Sequence, residues 1–476
     1  MEKPQRHLYI TQLLKQRNVE ITDKHSALLD SYIDSAEVIE QCRLISSTAE
    51  TLIMNWEENI ALSNIREKLL QLPNGTVDKA YSQVFSLPKY GLEKIKSFHL
   101  EFPQSLGIIY DPASGTISGT PLEQGEFRVK MIFTLDVKTN TEAKHEKEIS
   151  LVINPDPKKL WKNIPSPTDA PYWKDDETCT SATMLGHKLI VASKRGRSHA
   201  HEGIFRDDDF GFFFDEQTGY ALIAVADGAG SAKFSRKGSK IACDGVVNYF
   251  KNISADEYKQ LDDIITAYHN LKDEASKNAL NEFLTQKFSK APFEVHQQIA
   301  NFAAAAATES GTEVKLKDFS TTLLFVLLRK FDFGYSVMSF MVGDGGMGIY
   351  RADDNEVNVL GTPDGGEFAG QTRFLTMPEI FADNSFYKRI GFRIVSDFTA
   401  IILMSDGITD PKFQTDANLG RIEKWHELWK DLGGENADSA AVQFAPENDN
   451  AATQLLSWMD FWSPGNHDDR TIAVLY

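Results

Sequence analysis

Four aspartates in this chain stand beside runs of apolar residues that have the length and composition of buried β-strands. Asp227, Asp344 and Asp406 follow the runs YALIAVA, SVMSFMV and TAIILMS, and Asp469 precedes the run TIAVLY. Each carboxylate is therefore expected at a strand end. Acidic residues are rarely buried unless they are paired or bind a metal, so several of them in one cleft would repel one another without cations. The pattern predicts a carboxylate site for hard divalent ions such as Mg2+ or Mn2+.

Length and charge limit the remaining possibilities. A chain of 476 residues exceeds one ordinary core and predicts two or three domains. Its formal charge of -18 and isoelectric point near 5.1 argue against a nucleic-acid-binding surface, which needs clustered Lys and Arg. The three cysteines, Cys42, Cys179 and Cys243, lie far apart and match no metal-ligand spacing, which favours reduced thiols.

The first residues, MEKPQRHLYITQLLKQRN, carry charge throughout and lack the apolar core of a signal peptide. No stretch reaches the ~20 apolar residues of a membrane span. We therefore expect a soluble, cytoplasmic protein with neither a nucleic acid nor a membrane as partner.

Two segments with different residue patterns precede the part of the chain that contains these aspartates. Residues 1–70 are expected to form a helical segment, because apolar residues such as Leu29, Ile33 and Trp56 recur at helical spacing. The segment either docks a partner or only packs on its neighbour. Residues 71–154 alternate short strand-like runs with turn residues and predict a small β-sandwich.

Residues 155–175 hold five prolines and predict an extended linker, because proline disfavours both helices and central strands. The remaining 176–476 alternate strand runs with helices, for which 236–251, 293–308 and 421–432 are candidates. Paired strands with long helices between blocks predict an α+β fold, an α-β-β-α sandwich of two antiparallel sheets flanked by helices.

Residues 71–154 also resemble immunoglobulin-like modules of bacterial proteins. The resemblance rests on the stretch LGIIYDPASGTISGTPLEQGEF, in which Tyr110, Asp111, Pro112, Gly119 and Phe127 take the positions of the module's hallmark residues. It implies a fold and says almost nothing about function.

Residues 176–476 resemble the catalytic domain of the metal-dependent type-2C family of Ser/Thr protein phosphatases, in particular a bacterial branch. The resemblance rests on a series of motifs in the family's order. They are the acidic pair Asp207-Asp208, the turn Asp227-Gly228, the strand start Ser320-Thr321-Thr322, the turn Gly343-Asp344, the turn Ser405-Asp406-Gly407 and the strand entry Asp468-Asp469-Arg470-Thr471.

The resemblance implies a phosphoprotein phosphatase that hydrolyses phosphoserine and phosphothreonine with a metal-activated water at a two-metal centre containing Mn2+ or Mg2+. Its substrate would be a phosphorylated protein, such as a partner Ser/Thr kinase or the target of that kinase. Asp227 would bridge both ions and the Gly228 carbonyl would bind one of them. The other implied metal ligands are Asp406 and Asp469, the outer pair Asp207 and Asp208, and Asp344 at a third, weaker ion site.

Three departures from the family pattern bear on catalysis. Asp207 stands where Glu is common, and Ala229 stands where many members have a proton-donating His. The usual phosphate-binding Arg position falls on Gly203, so Arg206, Arg197 or His199 is expected to bind the substrate phosphate instead, with His199 and Arg206 favoured.

Plainer interpretations remain open. Each Asp-Gly pair alone predicts a simple turn, and His199 alone predicts a surface histidine. Two other function classes are a catalytically weak phosphatase-fold scaffold that binds phosphoproteins through its accessory domains, and a Ca2+-binding interaction module. The intact carboxylates weigh against the scaffold, and the missing DxDxDG loops weigh against the Ca2+ module.

Overall fold

The computed structural model describes residues 1–136, 143–310, 313–364, 372–382 and 386–476, and the chain divides into two compact units, residues 1–160 and 161–476. Among the described residues, no helix is long and apolar enough to cross a bilayer. The division of the chain into a helical segment, a β-sandwich, a linker and a catalytic domain remains a prediction.

The first unit begins with helices and continues with strands. Its helices are α1 (Lys3–Gln16), α2 (Ser26–Ile33), α3 (Ala36–Glu67) and α4 (Pro157–Leu160). Its strands are β1 (Gly75–Thr76), β2 (Tyr81–Val84), β3 (Ile95–Glu101), β4 (Ile108–Asp111), β5 (Thr116–Gly119), β6 (Gly125–Leu135) and β7 (His145–Asn154).

The strands of this unit form two sheets, in the orders β1-β7-β6-β3 and β2-β5-β4. Strand β6 sends Val129, Met131 and Phe133 into the core because alternate side chains on a strand point to the same face. The end of α3 packs against this core through Ala61 and Ile65. The predicted helical segment and β-rich region are therefore both present, while the immunoglobulin-like identity of the latter stays a proposal.

The second unit contains eleven strands and eight helices among its described residues. Its strands are β8 (Glu177–Met184), β9 (His187–Lys194), β10 (Asp209–Asp215), β11 (Tyr220–Ala226), β12 (Leu323–Phe331), β13 (Gly334–Val342), β14 (Gly346–Arg351), β15 (Glu356–Val359), β16 (Ile390–Val395), β17 (Ala400–Met404) and β18 (Arg470–Leu475). Its helices are α5 (Arg197–Glu202), α6 (Ser235–Lys251), α7 (Ala255–Leu271), α8 (Glu274–Ser310), α9 (Glu379–Ala382), α10 (Asp406–Phe413), α11 (Ile422–Leu432) and α12 (Ala451–Trp458).

Two antiparallel sheets lie at the centre of the second unit, in the orders β10-β11-β12-β13-β16 and β15-β14-β17-β18-β9-β8. Strand β11 is buried along its whole length because both of its faces are covered. Leu222, Ala224 and Ala226 face helices α6 to α8, whereas Ala221, Ile223 and Val225 pack in the layer shared with the other sheet.

A third cluster packs the outer face of the six-stranded sheet against α10, α11 and α12, with Trp425 and Trp458 among its largest members. The layers therefore run helix, sheet, sheet, helix, which confirms the predicted α+β sandwich. The helix expected at 293–308 is the second half of the longer α8, and Pro292 lies inside that helix.

Candidate metal centre

The aspartates meet because the registers of the two sheets bring several strand ends together. Asp209 pairs with Ala226 across β10 and β11, so the residues just outside this pair, Asp208 and Asp227, are neighbours. Across β17 and β18, Met404 pairs with Ile472, which brings Asp406 near the residues before β18.

Asp227 is held through its backbone by the start of the next strand. Its N–H donates to the Thr322 hydroxyl at 2.8 Å, and its carbonyl accepts from the Thr321 hydroxyl at 2.9 Å and from the Thr322 N–H at 2.8 Å. These bonds fix the backbone of the turn that carries the Asp227 carboxylate. The Ser320-Thr321-Thr322 motif therefore positions Asp227.

Gly228 allows a close approach that a side chain would prevent. A Cβ at this position would lie 2.6 Å from the Asp207 carbonyl oxygen and 2.9 Å from the Asp207 Cβ. The Asp-Gly turn therefore packs directly on the acidic pair.

Asp406 forms the first residue of α10 and is electrostatically coupled to Asp227. Burial, followed by the charges of Asp406 and Asp208, raises the pKa of Asp227 well above its usual value. Burial also raises the pKa of Asp406, with further contributions from Asp468, Asp344 and Asp208. Carboxyl groups crowded in this way resist ionisation unless a cation is present.

Asp208 is fully buried, and neither of its carboxylate oxygens has a hydrogen-bond partner among the described residues. Burial and then the charge of Asp469 raise its pKa to about 7, while the nearby hydroxyls of Thr471 and Ser405 act in the opposite direction. Asp406 Oδ1 also lacks a partner in the described part of the chain. Buried, unpartnered carboxylate oxygens are the donor set that hard divalent cations take, so the residues present fit Mg2+ or Mn2+.

Asp469 differs from the other carboxylates because its oxygens already have partners. Oδ1 accepts from the Gly196 N–H at 2.6 Å and lies 3.1 Å from His199 Nδ1, and Oδ2 accepts from the Asp207 N–H at 2.5 Å. Burial opposes its ionisation, but the charge and hydrogen bond of His199 outweigh this effect and lower the pKa of Asp469. These contacts suit a group that positions its neighbours.

Asp468 is a site residue that the sequence reasoning did not single out. Its charge raises the pKa of both Asp227 and Asp406, and burial followed by Asp469 raises its own pKa. Because neighbouring residues of an extended segment point to opposite sides, only one of the two adjacent aspartates is expected to face the cluster. This alternation predicts that one of the two aspartates faces the cluster, but it does not determine whether that residue is Asp468 or Asp469.

His199, Asp207 and Asp469 form a second group, whose potential ligand atoms lie within 4.8 Å of one another. Asp207 Oδ1 also accepts from the Arg236 N–H at 3.1 Å, near the start of α6. Burial disfavours the charged form of His199, yet Asp469 overrides it and raises the pKa of His199 to about 9. In the metal-free chain a protonated His199 donates hydrogen bonds, and metal binding by this group would require the neutral imidazole. His199 Nε2 lies near the loop after Asp227, 3.7 Å from where a Cβ of Gly230 would stand.

Arg206 is buried, and its guanidinium donates to interior acceptors. Nε donates to the Asp175 carbonyl at 3.0 Å, and Nη1 donates to the Ser193 hydroxyl at 2.7 Å and to the Asp208 carbonyl at 2.6 Å. These bonds give Arg206 a structural role beneath the acidic pair. The expectation that it binds substrate phosphate receives no support from this geometry.

Asp344 follows Gly343, whose φ of +121° forms the turn after β13. The Thr372 hydroxyl donates to Asp344 Oδ2. The negative charge of Asp344 contributes to the raised pKa of Asp406 and of Asp468.

Residues 361–392 lie between the strands that precede Asp344 and Asp406 and are rich in Gly and Phe, so the sequence predicts a flap over the cleft there. This segment lies partly outside the described residues, at 365–371 and 383–385. Within its described part, Asp364 pairs with Arg389 at 2.6 Å and with Arg373 at 3.8 Å.

The model of the family described as Protein phosphatase 2C matches residues 195–445. The chain belongs to the protein phosphatase 2C family. The matched segment includes every predicted site residue except Asp469, and this family uses divalent metals.

Solved structures, two of them of serine/threonine phosphatases, resemble the chain at low identity. The serine/threonine phosphatase Stp1 from Staphylococcus aureus is 14% identical, with 63% of this chain and 94% of that chain covered and a TM-score of 0.34. The S. agalactiae serine/threonine phosphatase is 14% identical, with 63% and 99% covered and a TM-score of 0.34. RsbX in complex with magnesium is 13% identical, with 63% and 98% covered and a TM-score of 0.32. A comparison with curated proteins gave no match.

Proposed function

We propose that this member of the protein phosphatase 2C family hydrolyses phosphoserine and phosphothreonine in protein substrates at a centre of two divalent cations, Mg2+ or Mn2+. The observation that carries the proposal is the cluster of Asp208, Asp227, Asp406 and Asp468, in which carboxylates raise one another's pKa while Asp208 and Asp406 keep unpartnered oxygens.

In this proposal Asp227, the Gly228 carbonyl, Asp406 and Asp468 hold the ions, with Asp208 as an outer ligand. Asp344 contributes to a third, weaker ion site, since its negative charge raises the pKa of the nearby Asp406 and Asp468. Asp469 was the ligand expected from sequence, and we now assign it the role of orienting His199. Bound divalent cations would supply an acidified water as the nucleophile and would neutralise charge that develops on the phosphoryl oxygens.

The side chains around the ions orient the reacting groups. The hydroxyls of Thr321 and Thr322 fix the turn that carries Asp227. His199 is held by Asp469 with Nε2 near the loop after Asp227, where it would donate to a phosphate oxygen or to the leaving hydroxyl. This donor would replace the His that many family members carry where Ala229 stands here.

The first test measures Mn2+-dependent hydrolysis of an aryl phosphate and phosphate release from phosphoserine and phosphothreonine peptides by the full chain. Asp227→Asn is expected to reduce turnover by roughly 10²-fold or more, because a carboxylate that would hold the ions is lost. Asp353→Asn removes the same charge from an exposed turn and serves as the matched control. Hydrolysis that survives complete removal of metal by EDTA would contradict the proposal.

The second test separates the roles of His199 and Arg206. His199→Gln is expected to lower kcat/KM by roughly 10- to 100-fold, as for the loss of a charged hydrogen bond. Arg206→Gln is expected to lower the free energy of unfolding and to leave the KM of the remaining folded protein unchanged. A large increase in KM in a stable Arg206→Gln variant would instead show that Arg206 binds the substrate phosphate.

A partner Ser/Thr kinase or its target remains our proposed physiological substrate. Incubating the chain with a phosphorylated kinase domain and measuring phosphate loss by mass spectrometry checks it. Metal binding without release of phosphate from any of these substrates would instead favour a phosphoprotein-binding scaffold.

A further inference from the structure

Strand β16 forms one edge of the five-stranded sheet, and no strand among the described residues pairs with its outer side. We propose that this edge binds an extended, acidic segment of another protein, which adds to the sheet as a further strand. The proposal concerns binding alone and does not rest on the proposed hydrolysis.

The backbone of β16 carries hydrogen-bonding groups that the sheet does not use. Because the N–H and C=O groups of successive residues point alternately to the two sides of a strand, every second residue of an edge strand presents both groups outward. The Phe392 carbonyl accepts from the Arg393 side chain at 2.8 Å, so Phe392 belongs to the outward set. Extended peptides bind such edges through main-chain hydrogen bonds.

Two cavities border this edge, one on each face of the sheet, and both reach Ile390 and Phe392. The larger, of about 470 Å³, lies on the side of α7 and α8 and is lined by Tyr268, Leu280 and Leu284. The smaller, of about 240 Å³, lies on the side of residues 359–362. The side chains of an added strand point alternately to the two faces, so they would enter the two cavities in turn.

The two cavities differ in the side chains that they suit. The larger is mainly aromatic and aliphatic, and in it the ring of Phe392 lies 5.7 Å from that of Tyr268, while Tyr387 is 60% exposed. An apolar side chain fits this environment. The smaller cavity is lined by the exposed cations Lys388 and Arg393 and therefore suits a carboxylate.

The charge around the edge is positive on a chain whose formal charge is -18. Among the described residues that line the two cavities, no side chain is acidic, and Lys277 adds a third cation on α8. Lys277 pairs at 3.7 Å with Glu274 on its own helix, which leaves Lys388 and Arg393 as the principal attraction for an acidic partner. A segment that alternates apolar and acidic residues matches both cavities.

The edge lies to one side of the candidate metal centre. Ile390 pairs with Phe340 near the end of β13 that leads to Asp344, and β16 is three strands away from β11. At about 4.8 Å per strand, an added strand would lie about 19 Å from β11. The bound segment is therefore distinct from any residue held at the metal centre.

The test measures the fluorescence anisotropy of a labelled eight-residue peptide of alternating Val and Glu, added to the full chain in EDTA so that no metal ion holds its carboxylates. The same peptide with Lys in place of Glu is expected to bind at least tenfold more weakly. Two further peptides carry N-methyl groups, one at the Val residues and one at the Glu residues. Because only one of these sets of N–H groups faces β16, the affinities of the two peptides should differ at least tenfold.

Variants of the chain test the two cavities separately. Arg393→Gln is expected to weaken binding of the Val-Glu peptide roughly tenfold, and Lys259→Gln, an equal charge change on the exposed surface of α7, should leave it unchanged. Thr285→Trp fills the larger cavity from an exposed position of α8 and should act in the same direction as Arg393→Gln. Gln286→Trp, at the next exposed position, is its matched control.

Four outcomes would each overturn the proposal and leave metal-dependent hydrolysis intact. They are an absence of binding by the Val-Glu peptide, equal binding of the Val-Glu and Val-Lys peptides, equal binding of the two N-methylated peptides, and unchanged binding in both Arg393→Gln and Thr285→Trp.

Discussion

At the scale of single residues, Asp208 shows the conflict between stability and the proposed function. It has no exposed surface, its oxygens are unpartnered among the described residues, and its pKa is raised to about 7. A buried carboxylate in this state destabilises the metal-free fold and becomes favourable only with a cation.

We therefore expect Asp208→Asn to raise the free energy of unfolding of the metal-free chain by roughly 2 kcal/mol, because it removes a buried charge. The same variant should gain less stability from added Mn2+ than the wild type does. Urea unfolding in EDTA and in Mn2+ measures both effects, with the exposed Asp353→Asn as control. A variant less stable than wild type in EDTA would show that Asp208 has a structural partner.

Gly407 offers a second residue-scale prediction. A Cβ at this position would lie 1.9 Å from the Asp469 carbonyl oxygen, so Gly407→Ala must displace either α10 or the entry to β18. The expected loss is about 3 kcal/mol of unfolding free energy. Gly420→Ala is the matched control because a Cβ there meets nothing within 4 Å. Equal stabilities of the two variants in urea would contradict the close approach.

At the scale of elements, helices and strands of the second unit are stabilised by different interactions. Strand β11 depends on burial on both faces, whereas α7 begins with a capping box. The Ser254 hydroxyl accepts from the Glu257 N–H at 3.3 Å, and the Ser254 N–H donates to the Glu257 carboxylate at 3.3 Å. Lys287 of α8 also pairs with Glu257, which joins the two helices.

Ser254→Ala is expected to cost about 1 kcal/mol of unfolding free energy, because it removes the acceptor at the helix N-terminus. Ser289→Ala, within α8, is the matched control and should be neutral or slightly stabilising, since Ala has the higher helix propensity. Thermal unfolding of the fragment 161–476 measures both. Equal effects of the two substitutions on the free energy of unfolding would show that the capping box does not stabilise α7.

At the scale of the whole molecule, the proline-rich segment belongs partly to the second unit. The Ile164 N–H donates to the Ala200 carbonyl at 2.9 Å, Arg195 donates to the Ile164 carbonyl, and Lys174 donates to the Asp208 carbonyl at 2.6 Å. These bonds tie residues of the predicted linker to the strands and loops that carry the acidic pair.

The fragment 161–476 should therefore fold and keep Mn2+-dependent hydrolysis of a small aryl phosphate, because it retains these contacts. The fragment 176–476, cut at the boundary predicted from sequence, should be less stable because Arg195, Lys174 and Arg206 lose partners or are themselves removed. Unfolding and activity measurements on both fragments check this. Equal stability of the two fragments would show that residues 161–175 act only as a spacer.

The chain's local patterns were sufficient to predict the layers of the second unit and the strand-end positions of the acidic residues. Alternation along β11 and the apolar runs beside Asp227, Asp344 and Asp406 depend only on neighbours in sequence. The elements that were not predicted are strands β8, β15 and β16 and helices α5, α7, α9, α10 and α12.

Tertiary structure alone decided the roles of individual polar groups. Asp469 accepts from the Gly196 N–H across 273 residues of sequence, and the charge of Asp468 raises the pKa of Asp406, which together support our proposal of Asp468 in place of Asp469 as a metal ligand. Arg206 likewise donates to the Ser193 hydroxyl and to the Asp175 carbonyl. A sequence pattern states which face of a strand a residue takes, but the partner of a buried charge is set by segments that folding brings together.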